Sequence, residues 1–142
     1  MTNSRAGFTI IELLTVVAIV GVLATIVGLK SVQSRDKALR AGMVADLRTL
    51  VSSQEGFFSA NRDYAGRIGP REIPGAAGRG TAALGVSPGN AVTLRYRSAS
   101  GWSATVTNSR LSAPPRTCGI FMGQASWSPN RAVTKEGVPA CY

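Results

Sequence analysis

Side chains able to do chemistry are scarce in this chain of 142 residues. Histidine is absent and the seven acidic residues are scattered, so a Ser-His-Asp triad cannot form and a metal site has few ligands to draw on. We therefore predict no enzymatic activity, no cofactor and no metal site. The remaining candidates are Glu12, the cysteines Cys118 and Cys141, and an excess of basic residues.

Glu12 is the only charged residue in an apolar run that extends from Phe8 to Leu29. A helix of this length spans about 33 Å, which is enough to cross a hydrocarbon core roughly 30 Å thick. The run has no polar stripe, so the helix should lie in lipid or in a helix-packed core. A carboxylate there costs about 2.5 to 3.5 kcal/mol on insertion scales, so Glu12 is expected to have a partner.

The segment Gly7 to Ala24, GFTIIELLTVVAIVGVLA, closely resembles the prepilin signature of type IV pilins and type II secretion pseudopilins. The resemblance consists of a Gly-Phe junction, an acid five residues into the mature chain and an unbroken apolar run. It implies that prepilin peptidase cleaves between Gly7 and Phe8, removes residues 1–7 as a leader, and leaves Phe8 as an N-methylated amino terminus. An ordinary signal anchor with an incidental glutamate is the alternative.

The resemblance also implies a role for Glu12 in assembly. Cleavage creates a charged amine on Phe8, which in a filament lies close to Glu12 of a neighbouring subunit. Charges about 4 Å apart attract by about 4 kcal/mol at an effective dielectric constant of 20, before desolvation is subtracted. The implied partners are further copies of this chain, other pilins, prepilin peptidase and an inner-membrane assembly platform. The implied location is the bacterial inner membrane, and then a surface filament.

Residues 30–142 are predicted to form one globular head, which begins with the second half of the helix. Over residues 30–60, apolar side chains recur at helical spacings of three, four and seven. These are Val32, Leu39, Met43, Leu47, Leu50, Val51, Phe57 and Phe58. Residues 61–90 are rich in glycine and proline and predict an irregular connection. Its expected attachments to the head are Tyr64, Ile68, Ile73 and Leu84.

An antiparallel sheet is predicted within residues 91–142. Its expected strands are Ala91–Ser98, Trp102–Thr107, Thr117–Met122 and a possible short strand at Arg131–Thr134. The first two should form a hairpin, because both alternate apolar and polar residues around a Ser-Gly turn. The inner face of the sheet should pack on the amphipathic helix. The fold class is therefore α+β, a long helix on a small antiparallel sheet.

Alternation in the first strand assigns its side chains to two faces. Val92, Leu94 and Tyr96 should point inward. Thr93, Arg95 and Arg97 should point outward. The chain has 16 basic and seven acidic residues, a net charge of +9, so Arg95 and Arg97 could form part of a polyanion-binding patch. DNA is the partner considered for that patch.

Cys118 and Cys141 lie in the part of the chain that the implied anchor places outside the cytoplasm, where a disulfide bond is expected. Such a bond would tie the final loop to the third strand and remove roughly 3 kcal/mol of unfolded-state entropy. In type IV pilins a C-terminal region bounded by a disulfide bond commonly lies on the filament surface. Two reduced, buried thiols are the alternative.

The predicted function is that of a structural subunit of a type IV pilus, acting in adhesion, motility or DNA uptake. One alternative is a pseudopilin of a type II secretion system. Major pseudopilins typically have an acidic calcium-binding loop, whereas Glu136 is the only acid between Ile73 and Tyr142 in this chain. A DNA-binding minor pilin is the other alternative.

Overall fold

The computed structural model describes the backbone of residues 7–142 and the side chains of residues 7–25 and 32–142. Helix α1 runs from Ile10 to Asn61, which confirms the long predicted helix. The strands are β1 (Arg67–Gly69), β2 (Thr81–Ala83), β3 (Asn90–Ser98), β4 (Gly101–Asn108), β5 (Thr117–Met122) and β6 (Ala140–Cys141). A 3-10 turn at Ala125–Trp127 follows β5. The chain divides into two compact units, Met1–Arg35 and Asp36–Tyr142.

The first unit contains the start of α1. Residues 1–6 of the predicted leader, and the side chains of residues 26–29 of the predicted membrane span, lie outside the described residues. In the part of the chain that the structure describes, no helix combines the length and the hydropathy needed to cross a membrane.

The second unit is built on a four-stranded antiparallel sheet in the order β3-β4-β5-β6. The predicted hairpin is confirmed, with Ser98 opposite Gly101 at its turn. The helix-facing core combines fully buried side chains of α1 with those of the sheet. They are Met43, Leu47, Leu50, Trp102, Ala104, Val106, Cys118 and Ile120. Each large apolar side chain buried here contributes about 1.5 to 3 kcal/mol, so this contact holds the α+β fold together.

The connection after α1 is more regular than its composition predicts. β1 and β2 pair in parallel, with Arg67 opposite Thr81 and Gly69 opposite Ala83. Ile73 does not anchor the connection through its side chain, which is 58% exposed. Its backbone pairs with that of Thr81 instead. Each amide donates to the carbonyl oxygen of the other residue, with nitrogen-to-oxygen distances of 3.0 and 2.9 Å. Backbone hydrogen bonds thus organise a segment that has few apolar side chains to bury.

Buried aspartates fasten the loops of the second unit to α1. Asp46, 5% exposed, accepts hydrogen bonds from the Ser87 amide at 3.0 Å, the Ser87 hydroxyl at 2.7 Å and the Asn90 side-chain amide at 2.6 Å. Three donors satisfy the carboxylate, so its burial is tolerated. This contact fixes the point at which the chain enters β3.

Asp36 and Arg40 fasten a second loop, before β5. The Asp36 carboxylate accepts hydrogen bonds from the amides of Ser112 and Ala113 at 3.3 and 3.1 Å. Arg40 donates to the carbonyl oxygens of Ala113 and Pro115 at 2.7 and 3.0 Å. Burial alone would raise the pKa of Asp36, but these backbone hydrogen bonds and Arg40 outweigh burial and lower it.

The outer face of the sheet is covered by the chain that follows β5. Ser103 points away from the helix-facing core, yet it is only 1% exposed. A Cβ atom added at Gly119 would lie 2.6 Å from Pro129 and 3.3 Å from the Tyr142 ring. Residues 123–139 and the Tyr142 side chain therefore form a covering layer on this face, and glycine in β5 allows its close approach.

The predicted fourth strand at Arg131–Thr134 is wrong. This stretch is a turn, and the fourth strand of the sheet is β6. The Ser128 hydroxyl donates to the Val133 carbonyl at 2.7 Å, and the Asn130 side chain accepts from the Ala132 amide at 2.9 Å. These local hydrogen bonds satisfy backbone groups that a strand would have paired across the sheet.

Candidate functional site

The described stem of α1, residues 8–25, presents an apolar surface on all sides. Eleven large apolar side chains of the stem are between 51% and 82% exposed, from Phe8 to Leu23. The hydroxyls of Thr15 and Thr25 donate to carbonyl oxygens of their own helix, at 2.9 Å to Glu12 and 2.7 Å to Val22. Since these hydroxyls are satisfied locally, the surface is suited to contact with other apolar surfaces.

Glu12 lies in the first turn of α1 and is exposed. Its amide donates to the Thr9 carbonyl at 3.1 Å, so the helix starts just before it. The carboxylate has no basic partner among the described residues. A carboxylate near a helix N-terminus is favoured by the helix dipole, and it remains available to a cation from outside the chain.

The outward assignment of Arg97 is wrong because β3 contains a β-bulge. Its register with β4 shifts between Leu94 and Tyr96, so one extra residue reverses the alternation of faces. Val92 and Leu94 pack against the core as predicted. Tyr96 instead becomes 41% exposed and stacks on Trp127, with ring centroids 4.7 Å apart.

Arg97 consequently turns towards the end of α1. It forms an ion pair with Asp63, and its Nε donates to the Tyr64 carbonyl at 2.9 Å. Asp63 also accepts from the amides of Tyr64 at 3.0 Å and Gly78 at 3.2 Å. Arg97 thus fixes the connection to the sheet and is not a free surface cation.

The Tyr64 side chain lies at the start of the same connection. Burial raises the pKa of its phenol to about 12, and the hydrogen bond that the phenol donates to Glu55 adds to the increase.

Arg95 stays exposed, as predicted. It lies near Tyr142, where burial raises the pKa of the phenol and the Arg95 guanidinium opposes that increase. The polyanion-binding hypothesis placed Arg95 and Arg97 together on one face. The structure does not bring them together in that way, and DNA binding stays an untested prediction.

We expect Arg97→Gln to lower the free energy of unfolding by about 2 kcal/mol, because it leaves the buried Asp63 carboxylate without its cation. Arg95→Gln removes the same charge from an exposed position and should change stability by less than about 0.5 kcal/mol. Chemical denaturation of both variants in detergent checks this. Equal effects of the two substitutions would contradict the structural role of Arg97.

The predicted disulfide bond between Cys118 and Cys141 is confirmed, and it joins β5 directly to β6. Cys118 is fully buried in the helix-facing core. The Gly137 amide donates to Phe121, and the Tyr142 amide donates to Thr117 at 2.8 Å. Within the described residues, no group of three histidine, cysteine or acidic side chains is placed to hold a metal ion.

The buried acids are the structural residues that the sequence analysis missed. Asp46 lies between Met43 and Leu47, on the apolar face of an amphipathic helix. A charged residue at such a position signals a buried hydrogen-bonding role, because an unpaired charge would not be tolerated there. The sequence around Asp63 gives no such signal, because the ion pair between Asp63 and Arg97 forms only as a result of the bulge in β3.

Comparison with known proteins adds one positive finding. A family model of the prokaryotic N-terminal methylation motif matches residues 2–28. Comparisons with curated proteins and with solved structures find no significant match. The matched segment includes Gly7, Phe8 and Glu12, so the resemblance to a prepilin signal is confirmed. Together with the α+β fold, the motif supports a pilin-like protein, a class that includes type IV pilins and pseudopilins.

Proposed function

We propose that this chain is a structural subunit of a type IV pilus. Prepilin peptidase cleaves it between Gly7 and Phe8, Phe8 is N-methylated, and the subunit waits in the inner membrane before it enters a surface filament. The observation that carries the proposal is the methylation motif on a stem whose apolar side chains are exposed in the single chain. Such a surface requires lipid or other stems around it.

Assembly would replace lipid with neighbouring stems. Because lipid tails are as apolar as leucine, hydrophobicity alone does not favour stem association, so close packing and polar contacts must supply the preference. Glu12 is the polar group available in the described stem, and the amine that cleavage creates on Phe8 is a suitable partner. Cleavage thus links processing to assembly. The proposed partners are other copies, other pilins and an assembly platform in the inner membrane.

A pseudopilin of type II secretion is the second candidate, because the methylation motif is shared by both classes. The C-terminal disulfide bond between Cys118 and Cys141 favours the type IV pilin. The acid-poor C-terminal half favours it as well, since a calcium loop needs several carboxylate or carbonyl oxygens.

Mass spectrometry of filaments sheared from cells tests the proposal. We expect the chain in filaments to begin at Phe8, with one added methyl group and with Cys118 joined to Cys141. The variant Gly7→Val should keep residues 1–7 and stay out of filaments, because its cleavage site is blocked by a branched side chain. Recovery of the wild-type chain from filaments with Met1 still present would refute the processing step. Absence of the wild-type chain from all filaments would refute the assignment to a pilus.

A further inference from the structure

A groove lies in the layer that covers the outer face of the sheet. It has a volume of about 490 Å³ and is open to solvent. Its lining residues are Ala125, Ser128, Asn130, Arg131, Val133 and Thr134. We call it the C-terminal groove. Its volume falls within the range of sites for small organic ligands, about 300 to 1,000 Å³.

The backbone of the groove is held in place by internal hydrogen bonds. The Ser128 hydroxyl contacts the carbonyl oxygens of Asn130 at 2.8 Å and Val133 at 2.7 Å. The Val133 amide donates to the Asn130 carbonyl at 2.9 Å. Val133 is only 2% exposed, so its side chain anchors the turn beneath the groove. A backbone fixed in this way reduces the ordering cost of binding.

The polar groups left over in the groove are hydrogen-bond donors. The Arg131 guanidinium, the Asn130 side-chain NH₂ and the Thr134 hydroxyl have no hydrogen-bond partner within the described part of the chain. Arg131 and Thr134 are exposed. None of the lining residues is acidic. A ligand with acceptor oxygens and a negative charge would complement this set.

We propose that the C-terminal groove binds a carboxylated sugar of about monosaccharide size. The planar fork of Arg131 matches the two oxygens of a carboxylate. Asn130 and Thr134 suit the hydroxyl oxygens of a sugar ring, and Ala125 supplies apolar contact for its C–H face. The proposal rests on the groove alone and does not require that the chain form a filament.

The test uses the full-length protein in neutral detergent and D-glucuronate as the probe, with D-glucose as its uncharged counterpart. Backbone amide shifts in an NMR titration locate the site, and calorimetry gives the affinity. We expect glucuronate to shift the amides of residues 125–134 and to bind at least about tenfold more tightly than glucose, since a charge-assisted bidentate contact distinguishes them. Equal binding of the two sugars, or no shift in this segment, overturns the proposal.

Variants separate the groove from the general positive charge of the protein. Arg131→Gln should weaken glucuronate binding at least about tenfold, whereas Arg71→Gln, which removes an exposed charge from the connection, should change it less than about twofold. Thr134→Val removes one hydroxyl from the same groove, and we expect it to weaken glucuronate binding less than Arg131→Gln does. Equal weakening by the Arg131 and Arg71 variants overturns the proposal. Inorganic sulfate binding as tightly as glucuronate overturns the assignment to a sugar acid.

Discussion

Replacing Glu12 with valine is expected to reduce incorporation of the chain into filaments by about a hundredfold. The physical reason is that the amine of Phe8 in an adjacent subunit loses its counter-charge in an apolar core. At an effective dielectric constant of 20, a pair of charges about 4 Å apart attracts by about 4 kcal/mol. Desolvation subtracts part of this gain, and a net gain of about 2.7 kcal/mol corresponds to a factor of 100. The measurement is the ratio of filament-bound to membrane-bound chain, by quantitative immunoblotting.

Two further variants show whether the carboxylate itself is required. Glu12→Gln keeps the size of the side chain but removes its charge, and we expect it to assemble almost as poorly as the valine variant. Thr15→Val removes a neighbouring polar group whose hydroxyl is satisfied by its own helix, and it should assemble normally. Normal assembly of the Glu12→Gln variant would rule out the ion pair as the reason why stems associate with each other in place of lipid.

Removing the disulfide bond should strongly destabilise the second unit. The double variant Cys118→Ala with Cys141→Ala frees a loop with a sequence separation of 23, for which the chain-entropy model gives a loss of about 3 kcal/mol. For a unit of this size, that loss lowers the melting temperature by roughly 10 to 20 °C. Thermal unfolding followed by circular dichroism measures the change.

Reducing agent provides the matched control for this double variant. Wild-type protein treated with a reductant should lose a similar amount of stability, whereas the double variant should not respond to the reductant at all. If the melting temperature of the wild-type protein did not change on complete reduction, the bond between Cys118 and Cys141 would not be what retains β6 and the covering layer.

Strong periodic signals in the sequence predicted most of the architecture. The end of α1 was predicted within one residue of Asn61, because the apolar spacing stops there and glycine and proline follow. β3, β4 and β5 were predicted nearly to their observed bounds. β3 and β4 alternate apolar and polar residues over at least six positions, and the Pro114-Pro115 break precedes β5. These are features that local side-chain pattern determines directly.

The features that the sequence did not reveal depend on strand register and on particular hydrogen bonds, which the pattern of apolar and polar residues does not record. The bulge in β3 leaves no clear local pattern, yet it moves Arg97 from a predicted binding face to an ion pair with Asp63. The turn at Arg131–Thr134 forms because Ser128 and Asn130 bond to nearby backbone groups. The groove around Arg131 depends on that turn, so it could not be predicted from alternation.

The three aspartates that hold loops in place also determine how copies of the second unit repel each other. This unit contains thirteen basic and six acidic residues, and Asp36, Asp46 and Asp63 are each at most 9% exposed. With half of its carboxylates turned inward, the outer surface carries a strong excess of arginine. Two copies of the second unit are therefore expected to repel each other at low ionic strength, and salt at 0.1 M, which shortens the screening length to about 10 Å, should weaken that repulsion.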